Sequence, residues 1–292
     1  MIFIVTSAQH SYTHDSVMEA LPDSVRVLDY TALFGSSGLA RGTYIFTDID
    51  RLSKGEHQRA SLTYRLLKMK GVTVLNDPAR QLGRYGLLRK LRREGINEFT
   101  AYRADSFERP ERWPVFVRTE GDHSRPLSGL IGNQAILDEF LEKMVGDGIP
   151  LTSLLVIEYS AEEVVPGLYR KLSVFRVADR MIGFTCVHDR NWLVKYGRPG
   201  IATDALYEDE FRIVRDNPFG EEMRRAFDLG DVEYGRVDFG LVEGRPQIYE
   251  INTNPDLVLF PKSNGVARRD DSNTVFRDNY LAAMQAIDTP PR

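Results

Sequence analysis

Apolar and polar positions along this chain fall into blocks of changing period, and the changes mark its elements. A short apolar run over residues 2–5 reads as a strand, a helical stretch over 16–21 follows, and a second apolar run occupies 25–28. Residues 44–47 give the next strand signal, before a helix over 55–70 that Gly71 closes and a return to strand over 72–75. This rhythm predicts a small open α/β lobe over residues 1–75.

Asn76-Asp77-Pro78 has the form of a helix start, with a capping side chain and then proline at the first helical position; the helix is expected to run to Gly95. Strands over 96–103, 113–118 and 154–159, the polar loop 119–129 and a helix capped by Asn133 complete an α+β lobe over residues 76–157. From Leu168 onward strands dominate. Residues 168–177 and 181–188 form a hairpin around Ala178-Asp179-Arg180, a helix over 220–229 precedes a second hairpin over 236–252, and 273–287 reads as a closing amphipathic helix. The predicted class is mixed α/β and α+β in three lobes, 1–75, 76–157 and 158–292, with the last two facing each other across a cleft.

Chemistry concentrates in the second hairpin, Arg236-Val-Asp238-Phe-Gly-Leu-Val-Glu-Gly-Arg-Pro-Gln-Ile-Tyr-Glu250-Ile-Asn252. A three-residue loop centred on Gly244 sets Asp238 directly opposite Glu250. Alternation then places Glu250 and Asn252 on the face of Asp238, and Val237, Phe239, Tyr249 and Ile251 on the other. Two facing carboxylates repel unless they share a cation. Oxygen donors alone favour a hard ion, and magnesium keeps waters and substrate phosphates in its shell when few side chains bind it. The metal candidates are therefore Asp238, Glu250 and Asn252. The plainer alternative is an edge hairpin whose carboxylates face water.

The run Arg236-Val-Asp238-Phe with Tyr249-Glu250-Ile-Asn252-Thr-Asn254-Pro255 resembles the metal-binding end of the ATP-grasp superfamily, and in particular carboxylate–amine ligases such as glutathione synthetase and the ribosomal-protein glutamate ligases. The resemblance implies an N-terminal pre-ATP-grasp lobe, a small central lobe and a C-terminal lobe, and two magnesium ions, with manganese as a substitute, bridged by Glu250. It also implies ATP contacts elsewhere. Arg84 and Arg118 stand where the superfamily has phosphate-binding lysines, and Arg118 and Arg190 are its candidate catalytic cations, with His188 competing for the role of Arg190. The loop containing His123 and Ser124 lies where a glycine-rich loop covers the phosphates. Glu158 and Tyr159 fall on the strand that meets adenine, and Glu162 or Glu163 where a carboxylate reaches ribose. Arginine is a planar fork and lysine a compact charge, so the two replacements keep the cations and change their geometry. With 30 arginines against 8 lysines in the chain, compositional drift accounts for them equally well.

Composition narrows the setting. The chain has 292 residues, 42% hydrophobic and 27% charged, with no apolar run near the ~20 residues of a membrane span. Its first residues lack the basic and cleavage signals of a secretory leader, so a cytoplasmic protein is expected. The single Cys186 excludes an internal disulfide and reads as a core residue. A net charge of −4, with the one basic run Arg89–Arg93 confined to a helix surface, argues against nucleic acid as a partner. Homo-oligomerisation is compatible with the sequence.

The reading that results is an ATP- and magnesium-dependent ligase. It would join a small-molecule or peptide carboxylate to an amine through an acylphosphate. Two alternatives stay open: a phosphotransferase acting on a small molecule, and a non-catalytic nucleotide-binding module. Gln9-His10-Ser11 and His14, after the first strand, are candidates to contact the acceptor.

Overall fold

The computed structural model describes residues 1–121 and 125–288. The first sheet takes its strands from the amino-terminal residues: β1 (Ile2–Thr6), β2 (Val25–Asp29), β3 (Thr43–Phe46) and β4 (Val74–Leu75), ordered β2-β1-β3-β4 and parallel throughout. Its strands read as nearly unbroken apolar runs, as a parallel sheet covered by helices requires. Those helices are α1 (Asp15–Ala20), α2 (Tyr30–Gly35) and α3 (Lys54–Met69). Ser53 and Glu56 form a reciprocal capping box at the start of α3.

The expected helix start at Asn76 is not formed. Asn76 takes a left-handed backbone (φ 63°), and its buried side chain donates to the carbonyls of Phe46 and Tyr234 (2.9 and 2.8 Å) while accepting from the amides of Glu233 and Tyr234. That side chain is spent joining two sheets. The helix opens instead at Gly83, as α4 (Arg84–Arg93).

After α4 come β5 (Ala101–Arg103), β6 (Val115–Thr119), α5 (Gln134–Gly146), capped by Asn133 as expected, and β7 (Leu154–Glu158). The three strands form an antiparallel sheet, β5-β7-β6. Val115, Val117, Leu154, Val156 and Tyr102 turn one face toward α5 in a small core.

The third sheet follows: β8 (Glu163–Val165), β9 (Leu168–Val177) and β10 (Arg180–Asp189), then α6 (Asp204–Asp216) and α7 (Gly220–Leu229), then β11 (Tyr234–Val242) and β12 (Arg245–Asn252). Its order is β10-β9-β11-β12, with β8 beside β9. Helix α8 (Ala267–Ala286) closes the chain. Ile2 and Ile4 of β1 share one core with Phe175 of β9, Tyr234 of β11 and Phe276, Tyr280 and Met284 of α8.

By compactness the chain divides into two units. The first comprises 1–81, 163–238 and 251–292, and the second 82–162 and 239–250. Among the described residues no helix is long and apolar enough to cross a membrane.

Candidate functional site

In the first unit, one face of the third sheet changes character along its strands. Phe175 of β9 and Tyr234 of β11 pack edge-on with ring centroids 5.4 Å apart, inside the core. Further along the same strand faces the positions are Ser173 and Lys171, and Arg236 and Asp238, because side chains two apart share a face. These four make a polar cluster in which Ser173 and Asp238 are buried and Lys171 and Arg236 partly so. Asp238 accepts from Lys171 Nζ (2.9 Å), Ser173 Oγ (2.8 Å), Arg236 Nε (2.8 Å) and Arg236 Nη2 (3.1 Å). Burial alone would raise its pKa, but the Arg236 guanidinium and Lys171 ammonium win and hold it well below the usual carboxylate range. Asp238 is therefore an anion at every physiological pH.

Four accepted hydrogen bonds occupy the lone-pair sites of a carboxylate. A metal ion would thus reach Asp238 only as one donor gives way, and Lys171, on a flexible stem, is the one able to swing aside. With that displacement the ionised Asp238 would offer oxygen to a hard divalent ion, and Asn252 of the same unit carries a second oxygen donor; Glu250, the third candidate, is ion-paired with Arg84.

The turn of this hairpin differs from the expected one. Only Glu243 and Gly244 lie between the strands, and both take positive φ (50° and 74°), the form of a two-residue type I′ turn. The three-residue loop that set Asp238 opposite Glu250 is not formed, so that pairing does not follow from the turn. Tyr249, expected on the face away from Asp238, has its hydroxyl where a Cβ on Gly240 would lie, 2.1 Å away. Gly240 is the residue that leaves room for it, and the hydroxyl donates to the carbonyl of Ser160 (3.0 Å).

A second polar cluster in the first unit lies at the carboxyl ends of β1 and β3, the switch point of the parallel sheet. Ser7 Oγ, His10 Nδ1 and Arg51 all converge on buried Asp48, with His10 Nδ1 3.0 Å from its Oδ2. Deeper, Thr6 and Thr13 donate to Asn254 Oδ1 (3.4 and 3.2 Å), which ties the residues after β12 to the amino-terminal segment. His14 beside them is lowered to about 4, chiefly by burial, against the opposing pull of Asn254, Asp48 and Asp15.

In the second unit the sheet face opposite α5 carries two arginines among apolar residues. Arg103 and Arg118 both pair in register with Leu155, from either side, and so share a face. Arg103 forms an ion pair with Glu120 (3.0 Å). Arg84, which opens α4, donates to the Glu120 carbonyl (3.2 Å) and forms a close ion pair with Glu250. Arg84, Arg103 and Arg118 thus surround one patch; Arg103 carries no motif signal and was not anticipated.

The remaining candidates have these places. Glu158 is buried and its carboxylate accepts from Thr100 N, Tyr102 Oη, Glu111 N and Arg112 N at 2.8–3.1 Å, so it clamps its own lobe. The Tyr159 amide donates to the Pro114 carbonyl (2.9 Å). Glu162 accepts from the Glu243 amide at the hairpin turn, and exposed Glu163 from Gly167, closing the β8–β9 turn. Arg190 is exposed just beyond β10, and His188 is buried. The cations brought to Asp238 are Lys171 and Arg236 instead. Asn252 accepts from the Asn254 amide (2.8 Å). His123 and Ser124 lie outside the described residues. Cys186 is buried, and burial pushes its thiol up, which suits a core residue.

No family model and no curated protein sequence matches the chain. Solved structures do, over nearly its whole length, and the fold they share with it is that of the ATP-grasp ligases. One is the D-alanine–D-alanine ligase of Bacillus anthracis complexed with ATP, with a TM-score of 0.55 at 13% identity over 98% of this chain and 97% of that one. The ATP-grasp ligase PsnB, complexed with a minimal precursor, gives 0.57 at 10% identity over 97% and 98%. The VanG D-Ala:D-Ser ligase of Enterococcus faecalis gives 0.52 at 11% over 98% of both. At such identities the likeness is one of fold.

Proposed function

We propose that the protein is an ATP- and magnesium-dependent ligase that joins a carboxylate to an amine. The observation that carries this is Asp238, held ionised in a buried cluster with Lys171 and Arg236 at the hairpin whose motif resembles the ATP-grasp metal site. The ligases named above, whose fold the chain shares end to end, favour the same reaction class.

In this reading Arg84, Arg103 and Arg118 hold the phosphates, guanidinium forks being matched to phosphate oxygens. Asp238, once Lys171 gives way, and Asn252 would hold magnesium, which would neutralise phosphoryl oxygens. The substrate carboxylate attacks the γ-phosphorus and ADP leaves; the amine then attacks the acyl carbon, phosphate departs, and the nitrogen loses a proton. Lys171 and Arg236 offset charge as it develops, and no side-chain nucleophile is needed. The switch-point cluster of Ser7, His10 and Asp48 is the place for the acceptor.

The saturated hydrogen bonding of Asp238 favours a second reading, a nucleotide-binding module without turnover. One experiment separates them. The protein is incubated with magnesium, ATP, hydroxylamine and a panel of amino acids and small carboxylic acids, and ADP and hydroxamate are measured. Equal amounts of both, strictly dependent on one carboxylate, support the ligase. A stable phosphorylated product would mark a phosphotransferase, and ATP binding without ADP across the panel would leave the binding module.

A further inference from the structure

Helix α3 carries two apolar stripes, one turned inward and one outward. Ala60, Tyr64 and Leu67 are buried in a core beside the first sheet. Leu62, Leu66 and Met69 lie on the opposite side, at 53, 61 and 79% exposure. Spacings of four and then three residues set them in one line along the helix. Single exposed leucines are ordinary on a protein surface, whereas three in a line make a patch.

Cations border that line on both sides. At about 3.6 residues per turn, Lys54 and Arg65 fall within about 80° of Leu62 on one side, and Arg59 and Lys70 within about 80° on the other. All four are exposed, and none of them forms an ion pair among the described residues. Arg59 is steadied by Phe34, whose ring centre lies 4.4 Å from the guanidinium carbon. Glu56, the one acid of the helix, is turned about 120° away from the line and caps the first turn with Ser53. An apolar centre with cations on either flank complements a surface that is apolar within and anionic at its boundary. A partner protein suits the face less well. Three side chains over about 10 Å of axis fall short of the roughly 20–30 residues that each side of a stable protein interface supplies, and lipid sets no such minimum.

We propose that the outer face of α3 docks on an anionic lipid bilayer, with Leu62, Leu66 and Met69 entering the headgroup layer and the four cations meeting lipid phosphates and carboxylates. The lysine and arginine stems lie along the apolar line while their charges reach outward. Because α3 is already folded against its own lobe, docking carries no cost of forming the helix. The inference goes beyond the ligase reading and does not depend on ATP turnover.

The test sediments the full chain at neutral pH with vesicles of phosphatidylcholine alone and of phosphatidylcholine mixed equally with phosphatidylserine, across a potassium chloride series. Binding at least about tenfold stronger to the anionic vesicles is expected, weakening as salt screens the charges. Arg65→Gln/Lys70→Gln removes one cation from each flank and should weaken that binding about tenfold. Leu62→Gln/Leu66→Gln should weaken it as much. All four positions are exposed, so the melting temperature should not move. Lys143→Gln/Arg180→Gln takes the same charge from exposed positions elsewhere and should leave binding unchanged. Equal binding to both lipids, no binding to either, or a loss in Lys143→Gln/Arg180→Gln as large as in the α3 variants overturns the proposal. So does a concentration-dependent dimer in vesicle-free solution that Leu62→Gln/Leu66→Gln abolishes, which would give the face to a second copy of the chain.

Discussion

Lys171 on β9 places its ammonium 2.9 Å from Oδ2 of Asp238 on β11, 67 residues further along the chain. This pairing gives the buried carboxylate a cation of its own, which the proposed magnesium would have to displace. Replacing the lysine should separate two effects. In Lys171→Met, turnover should fall about 10²-fold, as when one preorganised donor to developing charge is removed, while half-saturation by magnesium should move to lower concentration because the competitor is gone. Steady-state ADP release across a magnesium series checks both. An unchanged rate with a lowered melting temperature would reduce Lys171 to a structural partner.

Arg84 joins the Glu120 carbonyl and the Glu250 carboxylate through one planar fork. Lysine in its place keeps the charge and loses the fork. Arg84→Lys should therefore raise the KM for ATP roughly tenfold, equivalent to about 1.4 kcal/mol, with a smaller effect on kcat. The reverse split, with kcat falling at constant KM, would contradict a role in holding phosphate.

His14 makes stability depend on pH. Its folded value, about 4, lies below the unfolded value of 6.5, so its contribution is complete above pH 6.5 and is lost as pH falls toward 4. At 1.36 kcal/mol per unit the loss is on the order of 3 kcal/mol. Asp238, also held below its ordinary range, adds stability that is present above about pH 4 and disappears at lower pH. Urea denaturation from pH 7.5 to 4 should show a shallower decline for His14→Gln than for the unaltered protein. Parallel curves would exclude His14 as the cause.

Much of this organisation is legible in the residues themselves. The strand over 168–177 and the helix over 220–229 occur where period and punctuation put them, because each is set by local alternation. Helix α6, absent from the expected elements, carries local signals of its own: Thr203 caps it, accepting from Leu206, and its apolar residues recur at helical spacing. The hairpin turn lay beyond local signals, since Glu243 adopts a left-handed backbone that its residue type does not announce. The partners of the site were hidden for another reason. Lys171 and Arg103 owe their places to strand neighbours far away in sequence, and no spacing rule connects 171 to 238 or 103 to 120.

Asn76 shows what a single such long-range role is worth. It makes four hydrogen bonds to backbone groups, three of them buried, at Phe46 of one sheet and at Glu233 and Tyr234 at the start of a strand of another. Asn76→Ala leaves those groups unpaired and puts alanine at positive φ. A loss of at least about 3 kcal/mol is expected from the orphaned groups. Chemical denaturation measures it, and a change below about 1 kcal/mol would mean that water replaces the side chain.

Ile2 and Ile4 share their core with Phe276, Tyr280 and Met284 of α8. On a ribosome the opening strand is therefore made long before the helix that covers it. Until α8 is made its apolar side chains lack those partners, and the first unit can close only after that helix has been synthesised. Truncations within α8 should consequently behave as folding defects of the amino-terminal lobe, and captured nascent chains should expose β1 to proteases until α8 emerges.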